Sequence, residues 1–244
     1  MIKELSILGL SLLAQTPAPP SDIVYGVNMD YAMPLVEVVR SGEKPKLVGG
    51  LLKDIGDALF QELKVPPEIL LLPKRRVAPG LASGSVSVLC HLSEVWQPLI
   101  KDDVWWSEPL YKSTNLIVYT KSKPIRKVSD LYGERIGTVL NFIYQNLDEQ
   151  FMKQTMVRED GPNNESNIKK LIRGRLQYAI MSNLEYEYYH KKYPELQFAD
   201  LQMDVVMTKC ALSKNSNLSL EELNRAIKKI KEDGTLEKIL KKYR

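Results

Sequence analysis

Histidine and cysteine are scarce in this chain, with two of each in 244 residues. His91 and His190 lie about a hundred residues apart and are not in metal-ligand spacing. Neither a metal nor a cofactor is therefore expected. G-x-S-x-G, the P-loop and G-x-G-x-x-G are all missing, which removes the common hydrolase, nucleotide and dinucleotide signatures. No apolar run is long enough to span a bilayer. The net charge is only +4, and the lysines bunch in the last helices with no aromatic residues between them. A solvated helix face explains that better than a nucleic-acid site. Cys90 and Cys210 sit in separate apolar runs. In an oxidising compartment they could pair; otherwise they are two small buried hydrophobes.

What is present fits a globular protein with a real core: 44% hydrophobic and 26% charged residues over a length that suits one large domain or two lobes. The N-terminus differs from the rest. Residues 5–13, LSILGLSLL, have the length of a signal-peptide hydrophobic region, and proline-rich AQTPAPPSD follows. Residues 1–20 are read as signal peptide and linker, so the mature protein is expected to be exported. No cysteine follows the run, which argues against lipid anchoring.

Periodicity alternates between strand and helix along the chain. Strands are expected at 22–28 (DIVYGVN), 68–72 (EILLL) and 86–92. Helices are expected between them, one carrying Leu52, Ile55, Leu59 and Leu63 at helical spacing and one at 76–82. This is the pattern of a parallel sheet covered by helices. The strand 115–120, NLIVYT, leaves that unit. A second α/β unit follows, with strands at 135–140 and 176–181 and helices at 146–155, 165–173 and 184–192. The run MDVVMTKCAL brings the chain back. Ser219 and Glu222 form a capping box that opens a C-terminal helix, and Gly234 separates it from a second one.

The wording of that C-terminus, A-I-x-x-I-x-x-D-G-T-L-x-K-I-x-x-K-Y, resembles the ending of bacterial periplasmic solute-binding proteins of the amino-acid-binding class (family 3). Further stretches resemble the same family in the same order: GLLKDIGDALFQEL, LPKRRVAPGLASGSVSVLC, WSEPLY, VSDLYGERIGTV and IRGRLQYAIMSN. The resemblance implies an α/β protein of two lobes joined by two crossover strands with a ligand cleft between them, the type 2 periplasmic-binding fold. Lobe one is expected at 21–117 and 209–244, and lobe two at 118–208. It also implies that the strands bearing Cys90 and Cys210 are neighbours, so their Cα atoms should be close; whether they bond stays open.

Amino-acid binders of this family hold the ligand carboxylate with an arginine and its ammonium with an acid. Here the arginine's place reads Ser93-Glu94-Val95-Trp96, and the strand-end aspartate region reads Ser182-Asn183. The Gly-Thr-Thr loop of the family reads Asn141-Phe142-Ile143. Ordinary α-amino acids are therefore expected to bind poorly. The candidate site is Tyr31, Arg76, His91, Trp96, Asn141, Phe142, Tyr144, Ser182 and Asn183, with Arg76 as a replacement clamp and the aromatic residues lining the pocket. Arg76 also reads as a solvated neighbour of Lys74 and Arg75. Glu185 and Glu187 read as solvated helix charges.

These readings make the chain a periplasmic, monomeric binder of a small organic solute, with an ABC importer permease or a membrane receptor as partner and no catalytic activity. Two alternatives stay open: a stand-alone sensory or partner-binding domain of the same fold, and a cyclohexadienyl-type dehydratase, for which Glu94 is the only suitably placed acid in lobe one.

Overall fold

A computed structural model describes residues 23–244 apart from 41, 43, 122, 123 and 202. The expected leader and linker at 1–20 lie outside these. The first half of the chain runs β1 (Val24–Asn28), β2 (Glu37–Val39), β3 (Lys46–Gly49), α1 (Leu51–Leu63), β4 (Glu68–Leu72), α2 (Lys74–Ser83), β5 (Val88–Leu92) and β6 (Val104–Trp106). Then come β7 (Lys112–Tyr119), β8 (Arg135–Val139), α3 (Gln145–Met152), β9 (Val157–Gly161), α4 (Asn164–Ile172), β10 (Tyr178–Ser182) and α5 (Asn183–His190). The chain ends with β11 (Gln197–Phe198), β12 (Val205–Met207), β13 (Lys209–Ser213), α6 (Leu220–Glu232) and α7 (Thr235–Tyr243). Among the described residues no helix is long and apolar enough to cross a membrane.

Two separate sheets make two lobes. In the first, of order β4-β1-β5-β13-β6, β1 runs parallel to β4 and β5, while β13 is antiparallel to β5 and β6. In the second, of order β11-β7-β10-β8-β9, β8 is parallel to β9 and β10, and β7 is antiparallel to β10. Side chains alternate across each sheet, which splits each core into two faces. Val88 and Cys90 join the cluster under α1, α6 and α7, while Leu89 and Ala211 pack with Val77 and Leu81 of α2. In lobe two, Ile117 and Ile180 pack beside Leu147 of α3, and Val118 and Ala179 face Ile168 and Leu171 of α4.

The chain crosses between lobes twice, and the crossings pair with each other. Thr208 donates from its amide and its hydroxyl to the Tyr111 carbonyl, each at 2.8 Å, and the Leu110 amide donates to the Thr208 carbonyl at 2.7 Å. The run read as one returning strand is thus two, β12 paired with β7 and β13 in the first sheet, with Thr208 between them. Cys90 and Cys210 lie opposite one another in register and are joined by a disulfide.

Two local features position the site. Gly50 caps α1 at φ 101°, where a Cβ would lie 2.6 Å from the Leu35 carbonyl oxygen, so only glycine lets α1 start against the Tyr31 loop. The helix expected at 76–82 begins at Lys74, directly after Pro73. That earlier start changes which basic residue faces the cleft.

Candidate functional site

Between the lobes lies a cavity of about 540 Å³, its open mouth included. Tyr31, Lys74, His91 and Trp96 line it from lobe one, and Phe142, Tyr144, Ser182 and Glu185 from lobe two. Ser113 and Asn115 of β7 form part of the wall where the chain crosses.

On the lobe-one side, the carboxylate of Asp30 accepts from the Lys74 amide at 2.8 Å and so holds the first turn of α2 against the loop after β1. The Lys74 side chain turns into the cavity, where its ammonium lies 5.6 Å from the Phe142 ring centre. Burial pulls its pKa down to about 8. Among the described residues no carboxylate pairs with it. His91 is 5% exposed and sits at the end of β5 with φ 60°. Cys90 pairs with Cys210 and Leu92 with Lys209, so His91 is the extra residue of a β-bulge. The bulge breaks the alternation and aims the imidazole at the cavity, between Tyr31 at 5.3 Å and Trp96 at 5.6 Å. Burial, and then the charge of Lys74, push its pKa down to about 3, so the ring is neutral.

On the lobe-two side, the loop after β8 is clamped by Arg158 of β9. Its Nη2 donates to the carbonyls of Val139 and Phe142 at 2.9 and 3.0 Å. The Tyr144 hydroxyl accepts from the Val139 amide at 2.9 Å. The Phe142 ring therefore projects toward lobe one, 5.5 Å from Tyr31. At the end of β10, Ser182 caps α5 and forms a capping box with Glu185. The Glu185 carboxylate accepts from the Ser182 amide (3.1 Å), the Ser182 hydroxyl (2.8 Å) and Asn164 Nδ2 (3.0 Å). Burial raises its pKa, and those hydrogen bonds oppose the rise. Among the described residues it has no cationic partner.

Six of the nine expected residues line the cavity: Tyr31, His91, Trp96, Phe142, Tyr144 and Ser182. Three do not. Arg76 is exposed on the outer side of α2, because two residues along a helix turn a side chain by about 200° away from Lys74. Asn141 is exposed, held at φ 65° in the turn that presents Phe142. Asn183 accepts from the Thr114 amide at 3.0 Å and ties α5 to β7. Glu185, expected to be solvated, is 6% exposed and faces the cavity. Glu94 lies outside the cavity lining and pairs with Lys209 at 2.5 Å.

One cation and one carboxylate thus face a single cavity from opposite lobes, among aromatic rings. Solved structures share the fold. An amino-acid ABC transporter substrate-binding protein AbpA from Streptococcus pneumoniae, bound to L-arginine, aligns with a TM-score of 0.71 and 22% identity, over 91% of this chain and 93% of that one. The GluR0 ligand-binding core from Nostoc punctiforme, in complex with glutamate, aligns with a TM-score of 0.70 and 14% identity over 91% and 97%. In sequence, the chain is 27% identical over 150 residues to the arginine-binding extracellular protein ArtP of Bacillus subtilis. That match covers 60% of this chain and 58% of the relative. Residues 25–244 match the family described as bacterial extracellular solute-binding proteins, family 3. The chain belongs to that family.

Proposed function

We propose that this protein captures a small zwitterionic solute outside the cytoplasm and delivers it to the permease of an amino-acid-type ABC importer. The observation that carries this is the charge pair. Lys74 on lobe one and Glu185 on lobe two both face the cavity, and neither has an ion-pair partner among the described residues. A buried charge with no counter-ion is costly unless a ligand supplies one. A solute with one anionic and one cationic group satisfies both, and only when the lobes are closed. Closure is then a population shift in which the solute stabilises the state that touches it from both sides. The closing bodies are the first sheet with its helices, up to Tyr111 and again from Lys209 onward, and the second sheet with its helices, 112–207; the crossing expected after residue 117 comes earlier because β7 pairs from Lys112 with the second sheet.

The expectation that α-amino acids bind poorly rested on the missing arginine and aspartate. Lys74 and Glu185 supply the same two signs from other positions, so zwitterions of amino-acid type fit the site. Arginine itself fits less well, because its guanidinium would add a second cation and Glu185 is the only carboxylate among the described residues that line the cavity. The aromatic walls favour an apolar or aromatic body. Export agrees with the disulfide, which needs an oxidising compartment.

The test is a thermal-shift and calorimetry panel of L-amino acids, each run beside its decarboxylated amine and its N-acetyl derivative. A solute at a hundred times its Kd stabilises by about 2.7 kcal/mol. The reading requires at least one zwitterion to bind while both truncated forms fail. Equal binding of an amine and its parent amino acid would refute it. Growth of a permease deletion at unchanged solute uptake would favour the receptor role instead.

A further inference from the structure

His91 combines three features. It is a non-glycine residue held at positive φ, it is the extra residue of a β-bulge, and it is buried. The other non-glycine residues at positive φ, Lys64, Asn141 and Gln154, are all exposed. Such a conformation persists only where its surroundings hold it. Beside Tyr31 and Trp96, Tyr111 packs on it: its ring stacks on the imidazole at 5.8 Å and 17°, and its hydroxyl lies 2.7 Å from Nδ1.

The proton in that hydrogen bond can be placed. Burial raises the Tyr111 phenol well above its ordinary range, so it keeps its O–H. His91 is neutral, so one ring nitrogen is a donor and the other an acceptor. The Tyr111 hydroxyl lies at hydrogen-bond distance from His91 Nδ1, and the Thr208 hydroxyl, which also acts on the phenol, gives its own proton to the Tyr111 carbonyl. A buried hydroxyl donates where it can, so Nδ1 accepts and the ring proton sits on Nε2. Nε2 has no protein partner among the described residues and is not sealed within the protein, while the ring lines the cavity. Lys74, close enough to lower the pKa of His91, faces the same space.

We propose that Tyr111 is a positioning residue that locks His91 as the Nε2–H tautomer, and that this N–H and the Lys74 ammonium together clasp one anionic group of the solute. The clasp rests on the reading of the cavity as a zwitterion site; the tautomer does not. Tyr111 lies in the first crossing, directly before β7, and its carbonyl accepts both hydrogen bonds from Thr208. The residue that sets the donor is thus part of the pivot.

The experiment is ¹⁵N NMR of histidine-labelled protein, with sodium acetate as the anionic probe. His190 is the internal contrast, since its Nδ1 lies 3.0 Å from the Leu196 carbonyl and must carry the proton there. The two histidines should therefore show opposite tautomers. Acetate should shift the His91 Nε2 signal in the wild type and leave it unmoved in Lys74→Met. Tyr111→Phe, which keeps the stacked ring, should give an averaged His91 tautomer and acetate affinity at least tenfold weaker. A proton on Nδ1 of His91, or a Tyr111→Phe spectrum identical to wild type, overturns the positioning role. An Nε2–H tautomer that acetate does not perturb overturns the clasp. A solute panel without a binder overturns the transport reading and leaves the tautomer result intact.

Discussion

Phe142 of lobe two meets Tyr31 of lobe one edge to face, with 5.5 Å between ring centres, and the Lys74 ammonium sits over the same phenyl ring. This small contact bridges the cleft. Phe142→Ala removes an aromatic pair and a cation–π contact, each worth about 0.5–1.5 kcal/mol. The expected outcome is a larger radius of gyration for the solute-free protein in X-ray scattering, with the closed dimensions restored by solute. Unchanged dimensions would mean that other contacts hold the lobes.

Lys74→Ala and Arg76→Ala should separate cleanly. Removing the cation opposite a desolvated anionic group costs about 2–5 kcal/mol of binding, so Lys74→Ala should weaken the solute at least thirtyfold in calorimetry. Arg76→Ala should be silent, because Arg76 faces solvent on the outside of α2. The reverse result would place the clamp two residues further on.

Affinity should fall on both sides of a pH optimum. The anionic group needs protonated Lys74, whose pKa is held at about 8, so binding weakens as the pH rises through that value. The cationic group needs ionised Glu185, whose pKa is raised, so the acid limb begins at a higher pH than an ordinary carboxylate would give. The stability of the solute-free protein carries the opposite alkaline sign. Between about 8 and the ordinary 10.5 the unfolded lysine binds more protons than the folded one, so this group makes stability rise with pH there. Calorimetry and denaturant unfolding across pH 5–10 check both. Glu185→Gln should remove the acid limb.

Replacing Cys90 and Cys210 together by serine should lower stability by about 2–4 kcal/mol in urea unfolding, since the bond closes a separation of 120 residues. Both cysteines are at most 1% exposed, so the native bond should resist reductant until the protein unfolds.

The order of strands and helices was legible in periodicity and capping, and the two-lobed arrangement in the resemblance to the solute-binding family. Ser219 and Glu222 form the capping box read from their spacing, and Gly234 takes the left-handed φ of 77° that its position demanded. Strand β9 was not legible, since VREDG is a polar edge strand with no apolar alternation. The hairpin of β2 and β3 was missed for a similar reason, being mostly exposed. Of the cavity lining, the aromatic residues could be read, and Lys74 and Glu185 could not. Glu185 had a signal in Ser182-Asn183-Leu184-Glu185, the same S-x-x-E pattern that marks the C-terminal helix. A capping glutamate folds back over the helix start, which here is the cleft. Lys74 had a weaker one, because Pro73 marks a helix start and the first residue of α2 faces the strand ends. The bulge at His91 had none, as it depends on how β13 pairs across from it.

The pivot has a mechanical consequence. A single linker would let one lobe swivel and tilt freely against the other. Two crossing strands that bond to each other at Tyr111 and Thr208, with Cys210 anchored covalently to β5 two residues on, suppress twist and leave bending about one line. A solute that bridges the cleft arrests one rotational degree of freedom instead of three. The entropy lost on closure is correspondingly small, and a ligand of few atoms can hold the two lobes shut.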